Sequence, residues 1–372
     1  MSGRALILGG YGNFGKRIAE SLIKEKIPVI IAGRNEQKAI ACCNALSAGW
    51  TSYSVFDVKN NLKENLEKLK PVVVINTCGP FQNSDYSVAE QCIDCGVHYI
   101  DLADGRAFVN GITILDQPAK KKNVSIISGA STVPCLASAV IEHYRQQFST
   151  IEFLKYGISP GQKAERGLAT TRAIMTYVGR PLSPFPGIVP VVYGWQNIYR
   201  QPYPEIGRRW MANCDIPDLG LFPPHYGIRK IQFSAGLELS LPHLGLWLLS
   251  WLVRAGVPLD LPKLASPLLT MSDWLNGFGS ADGGMHMIFE GKDRQGLPLT
   301  CKWFIIAKDG DGPYIPTVPA VVLAAKLING QLQKTGAYPC VGIISLDEYM
   351  NGLQGKAVSI FECKDDKGGL KQ

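Results

Sequence analysis

The chain has 372 residues, 46% hydrophobic and 19% charged, with a formal net charge of +7. So high an apolar content with so small a net charge excludes disorder as the dominant state, and 39 Gly and 24 Pro dispersed along the length exclude a collagen-like or low-complexity chain. The densest basic run, Lys120-Lys121-Lys122, reads as a solvated helix end, so no nucleic-acid partner is expected.

At about 150 residues per domain the length predicts two domains. Ala5-Leu6-Ile7-Leu8 is too short for a signal-peptide core and runs straight into glycines. Ten cysteines without a secretion signal then fit a reducing compartment, and a cytoplasmic location is expected.

In chain order, strands are predicted at Ala5–Leu8, Val29–Ala32, Ser52–Phe56, Val72–Ile75, His98–Leu102 and Val124–Ser128. Helical stripes lie between them: Phe14, Ile18 and Leu22 share one face, as do Leu62, Leu66 and Leu69. Asn61 and Glu64 have capping-box spacing. Near-continuous apolar strands alternating with helices predict a parallel sheet covered on both faces, and six strands is the Rossmann count. A helix is expected over 134–148, with Pro134 in its first turn. Residues 181–225, rich in Pro, Gly and aromatics, read as irregular loops. Leu241–Val253 is almost wholly apolar but only about 13 residues long, too short to span a bilayer. A buried helix is expected there, with peripheral membrane contact as the alternative. Met287–Lys292 and Leu299–Ala307 predict a hairpin across Asp293–Gly296, and Val318–Ile328 a helix. Lys364–Gln372 reads as a frayed end. The expected fold class is α/β: an N-terminal Rossmann doubly wound parallel sheet over 1–132 and an α+β domain with a mixed or antiparallel sheet over 133–310. A segment at 311–363 partly returns to the first domain.

Gly10-Tyr11-Gly12-Asn13-Phe14-Gly15 is a G-x-G-x-x-G that follows an apolar strand and opens an amphipathic helix, the context required for dinucleotide binding. Gly10 permits the tight turn, Gly12 the approach of a pyrophosphate, and Gly15 close packing of helix on strand. A tight turn without a ligand is the competing explanation. The second strand ends at Arg34-Asn35, with no carboxylate until Glu36. An Arg there suits a 2′-phosphate, which favours NADP(H) over NAD(H); otherwise it is a solvated Arg beside a helix cap. Asp57-Val58 at the third strand end suits the adenine. Thr77-Cys78-Gly79 at the fourth suits the ribose and nicotinamide, with Cys78 a wall residue in preference to a nucleophile. Asp101 and Asp104 follow the fifth strand, and capping or tying a loop competes with function for each. Cys92-x-x-Cys95 extends a helical stripe with Val88 and reads as core. Five histidines form no H-x-x-x-H pair, so no metal is expected, and neither a G-x-S-x-G elbow nor a P-loop lysine occurs.

Gly9–Gly15, Ala32–Asn35, Val74–Phe81 and Tyr99–Ala103, with a weaker echo at Gly312–Thr317 and Thr335–Cys340, resemble the saccharopine dehydrogenase-like oxidoreductases. The resemblance is specific over about the first 135 residues. It implies an NAD(P)-binding Rossmann domain and a second domain closing over the substrate. It also implies hydride transfer with a small amine, imine or amino-acid-like molecule, or else with a lipid or isoprenoid double bond at a membrane surface. Asp104-Gly105 stands where many relatives have Gly-Glu, and no basic pair suited to an amino-acid carboxylate is evident in the second domain. Asp104 and Asp101 are the candidate acids for an amine proton, followed by His286. A non-catalytic NADPH-binding sensor is the alternative outside enzymology, and a homodimer through an exposed sheet of the second domain is compatible with the pattern.

Overall fold

The computed structural model describes residues 3–46, 49–82, 84–165, 167–188 and 191–365. The chain begins with β1 (Ala5–Leu8), α1 (Asn13–Lys24), β2 (Val29–Gly33), α2 (Glu36–Ala45), β3 (Thr51–Val55) and α3 (Val58–Leu69). It continues through β4 (Val73–Asn76), α4 (Ser87–Asp94), β5 (His98–Asp101), α5 (Arg106–Gly111), α6 (Asp116–Lys121) and β6 (Ser125–Ser128). Next come α7 (Ala137–Tyr144), β7 (Phe148–Ser159), α8 (Leu168–Met175), β8 (Tyr199–Tyr203), β9 (Gly207–Asn213), α9 (Asp218–Tyr226) and β10 (Lys230–Leu237). Then follow α10 (Ser240–Arg254), α11 (Leu261–Asp273), β11 (Gly283–Asp293), β12 (Pro298–Ala307), α12 (Val318–Ile328), β13 (Gly336–Pro339), α13 (Leu346–Asn351) and β14 (Val358–Asp365). Two compact units result: 1–139 with 314–354, and 140–313 with 355–372.

The first unit is a seven-stranded sheet in the order β13-β6-β5-β4-β1-β2-β3, every pairing parallel. β1, β4 and β6 are buried along their whole length, as a sheet covered on both faces requires. The strand order reverses at β1, so the loop leaving β1 opens at the topological switch point where such sheets bind ligands. The six predicted strands are present to within a residue or two; the seventh, β13, comes from the C-terminal segment. The predicted capping box at Asn61 is displaced. Asp57 caps α3 instead, accepting from Lys59 N at 3.0 Å, and Asn61 lies inside the helix with non-helical φ −126°. Cys92 sits in the sheet-side core and Cys95 packs against it.

The second unit is a mixed sheet in the order β14-β12-β11-β7-β10-β9-β8, antiparallel except for β7 with β10. One face carries Leu154, Tyr156, Met287, Phe289 and Trp303, all buried, and Asp218 at the start of α9 accepts from the Tyr156 hydroxyl at 2.9 Å. The β11–β12 hairpin follows from Asp293, whose Oδ1 accepts from Gln295 N and Leu297 N at 2.8 Å each, with Gly296 at φ +83°.

Four expectations need correction here. The helix expected over 134–148 is split: a π-helical turn spans Thr132–Leu136, α7 follows, and Phe148 already begins β7. Residues 181–225 include β8, β9 and α9; a tight turn with Glu205 and Gly207 at positive φ joins the two short strands, and Pro202 masks their alternation. Residues 189 and 190 of that stretch lie outside the described ones. Residues 314–354 belong to the first unit, and 355–365 to the second, where β14 pairs antiparallel with β12. Lys364, expected to be frayed, is part of that strand opposite Cys301, while 366–372 lie outside the described residues. The apolar run 241–253 is helical as α10, but Leu241, Leu248, Trp251 and Leu252 face outward while polar His243 and Ser250 are buried.

Candidate functional site

The loop from β1 to α1 is fixed by its own backbone. Gly9 N and Gly10 N both donate to Ala32 O, at 2.9 and 3.1 Å, and Gly12 N donates to Gly9 O at 2.8 Å. Gly9 has φ +73°. A Cβ on Gly15 would stand 2.4 Å from Gly9 O and 2.7 Å from Gly10 Cα, so α1 approaches the loop as closely as only glycine permits. At Gly12 a Cβ would meet nothing but Gly9 O, at 3.0 Å, so the loop is open on that side. The N-cap of α1 is Gly12, which has no side chain of its own to cap the first turn. The helix's first-turn N–H groups and the positive end of its dipole therefore suit phosphate oxygens. Asn13 and Phe14 form that turn, and Asn13 O and Oδ1 both receive Arg17 Nη1.

The ends of the next three strands surround this loop. Arg34 is exposed just beyond β2, and Asn35 caps α2 through Oδ1 to Lys38 N at 2.9 Å. Tyr11, from the glycine loop, lays its ring against Gly33, where an added Cβ would fall within 2.6 Å of the ring atoms; its hydroxyl accepts from Asn35 N at 3.1 Å. Asp57 spends Oδ1 on the cap of α3, and Val58 opens that helix. Thr77 closes the other side: its Oγ1 donates to Leu8 O at 2.8 Å and stands 3.3 Å from Gly9 O. Asn76 Oδ1 accepts from Cys78 N at 3.0 Å while its Nδ2 donates to the buried Tyr99 hydroxyl at 3.1 Å, fixing the turn into Gly79 and the cis Gly79–Pro80 peptide. Although Cys78 is exposed overall, burial around Sγ pushes its thiol up to about 11; the Arg34 charge pulls it down and that of Asp57 pulls it up. The ends of β2, β3 and β4 thus share one electrostatic neighbourhood, in which Cys78 is a neutral thiol at pH 7.

The two candidate acids differ. Asp101 is fully buried and ties β5 to the end of β6, with Oδ1 accepting from Ala103 N, Ser128 Oγ and Gly129 N at 2.8–3.0 Å. Burial drives its pKa up to about 6, partly opposed by those bonds. Asp104 is only partly buried, and Oδ1 accepts from Gln82 Nε2 at 3.0 Å. Its pKa is also raised, by desolvation against that bond. Gln82 was not marked by any sequence signal; Phe81, packed 5.3 Å from the Phe108 ring, anchors the residue before it. His286 belongs to the second unit, where it is buried and hydrogen-bonded through Nδ1 to the Tyr203 hydroxyl at 2.8 Å. Among the described residues no group of three or more potential metal-ligating side chains is assembled.

Residues 5–129 match the family described as saccharopine dehydrogenase NADP binding domain. Among solved structures, apo saccharopine dehydrogenase (L-Glu forming) from Saccharomyces cerevisiae is 12% identical, with a TM-score of 0.66 over 97% of this chain and 100% of that one. An amine dehydrogenase from Mycobacterium smegmatis is 12% identical, with a TM-score of 0.46 over 94% of this chain and 96% of that one. A comparison with curated proteins finds no match. The chain therefore has the fold of saccharopine dehydrogenase, and the family match is confined to residues 5–129.

Proposed function

We propose that this protein is an NADP(H)-dependent oxidoreductase that transfers hydride to or from a small amine, imine or amino-acid-like substrate, in the cytoplasm. The observation that supports this most strongly is the glycine N-cap of α1, open above Gly12, at the switch point of the parallel sheet. The first-turn N–H groups of α1 would hold the pyrophosphate, Arg34 the 2′-phosphate, Asp57-Val58 the adenine end, and Thr77-Cys78-Gly79 the nicotinamide end. The nicotinamide supplies the hydride chemistry when bound. The chain's own residues position it and handle protons. Asp104 is the acid assigned to the substrate nitrogen, with its proton on Oδ2, because Oδ1 is taken by Gln82. Asp101 is assigned to holding the β5 and β6 loop ends.

Fluorescence titration of the wild type and Arg34→Ala with NADPH and NADH tests this. A lost charge-assisted phosphate contact is worth about 1.5–3 kcal/mol, so the variant should bind NADPH roughly 10- to 100-fold more weakly and NADH as before. Failure of the wild type to bind either nucleotide would overturn the proposal. The exposed apolar helices of the second unit favour one other acceptor, the double bond of a lipid or isoprenoid. Parallel NADPH-oxidation assays with imines and with enones separate the two.

A further inference from the structure

Nine of the fourteen large hydrophobic side chains that are exposed among the described residues lie between Leu241 and Phe278, about a tenth of the chain. They form two stripes at helical spacing. On α10, Leu241, Leu248 and Leu252 follow one another by seven and four residues; on α11 and the turn after it, Met271, Trp274 and Phe278 follow by three and four. Trp274 and Phe278 are 75% and 80% exposed. These stripes lie on the sides of the helices turned away from the unit's own core. The inward sides are already packed, with Leu261 and Ala265 against Met175, Val178, Trp195 and Ala212, and with His243 and Ser250 fully buried on α10. Each helix is therefore apolar on the side where a water-facing helix carries charge. α10 contains no carboxylate and α11 only Asp273, at its last position. Their surroundings are cationic: exposed Arg172 on α8, which packs along α11, exposed Arg180, and exposed Lys263 on α11 itself, paired with Asp260 at 2.9 Å. No helix among the described residues is long and apolar enough to cross a membrane.

We infer that the α10–α11 face is a docking surface for an anionic phospholipid bilayer. The protruding Leu, Met, Trp and Phe side chains enter the boundary between headgroups and acyl chains, and Arg172, Arg180 and Lys263 lie at headgroup level. Tryptophan favours that depth because its ring is apolar and its N–H reaches the wet layer. This assignment rests on the second unit alone and is independent of the oxidoreductase proposal.

The test uses the full chain and sucrose-loaded vesicles of phosphatidylcholine with about 30% phosphatidylglycerol, followed by sedimentation. The wild type should sediment with them, less so as salt rises, and its tryptophan emission should be quenched by lipids brominated in the acyl chain. Leu241→Ser/Trp274→Ser/Phe278→Ser should lower partitioning at least about tenfold while leaving circular dichroism and NADPH affinity unchanged. Absence of wild-type binding, or equal binding by the variant, would overturn the inference. So would a wild-type dimer that ignores vesicles and that the same substitutions dissociate, because the face would then belong to a second copy.

Discussion

The phenol of Tyr11 ties the glycine loop to the end of β2: its ring covers Gly33 and its hydroxyl accepts the Asn35 backbone N–H at 3.1 Å. Through this contact the glycine loop holds the segment that carries Arg34. Gly33→Ala would put a methyl group within 2.6 Å of the ring atoms and dislodge the tyrosine. NADPH affinity should then fall severalfold, measured by fluorescence titration, while Tyr11→Phe, which keeps the ring, should cost less than about 1 kcal/mol of binding.

Gly12 and Gly15 should respond differently to the same methyl group. Gly15→Ala meets backbone atoms at 2.4 and 2.7 Å that cannot step aside, and should destabilise the protein by about 1–3 kcal/mol in denaturant titration. Gly12→Ala has only Gly9 O to accommodate, at 3.0 Å. It should melt close to wild type yet lose NADPH binding, since the methyl group occupies the pyrophosphate's approach.

Asp104→Asn keeps an acceptor for Gln82 and removes the titrating proton. Turnover should fall at least about tenfold with NADPH affinity unchanged. The folded pKa of Asp104 is raised, so the protonated acid persists above the usual carboxylate range. Wild-type activity in the reductive direction should fall as pH rises through that raised value, and the variant's residual rate should lack this limb. A variant with full turnover would remove Asp104 from the chemistry.

Asp218 gives the second unit a pH dependence of its own. Its carboxyl is fully buried, and burial raises its pKa to about 8 against the bonds from the Tyr156 hydroxyl on Oδ2 and from its own backbone N–H. Between the ordinary value near 4 and 8 the folded chain holds a proton that the unfolded chain has released, so stability falls as pH rises across that window. Asp218→Asn should lack this contribution. Its melting temperature relative to wild type should climb by at least about 5 °C from pH 4 to pH 8, measured by calorimetry.

Much of the first unit was legible because its central strands are buried on both faces and so appear as apolar runs, such as Ala5–Leu8 and residues 73–75. The glycine loop was legible because its G-x-G-x-x-G spacing follows an apolar strand and opens an amphipathic helix. β13 was not: four residues ending in Pro339 carry little pattern, and their partner β6 lies about two hundred residues earlier. The outward stripe of α10 was hidden for another reason. A helix apolar on nearly every side shows that it avoids water, but spacing does not reveal which side the fold covers. Nor could residue type alone show that Asp101 has three hydrogen bonds on one oxygen while Asp104 has one.

The placement of β13 and β14 bears on how the protein is made. Each is the edge strand of a different sheet, and both lie within the last forty residues. During synthesis the open edges of β6 and β12 must wait, unpaired, until β13 and β14 have emerged from the ribosome. A chain released early by a premature stop before Gly336 would present two unpaired sheet edges at once, a substrate for chaperones and proteases.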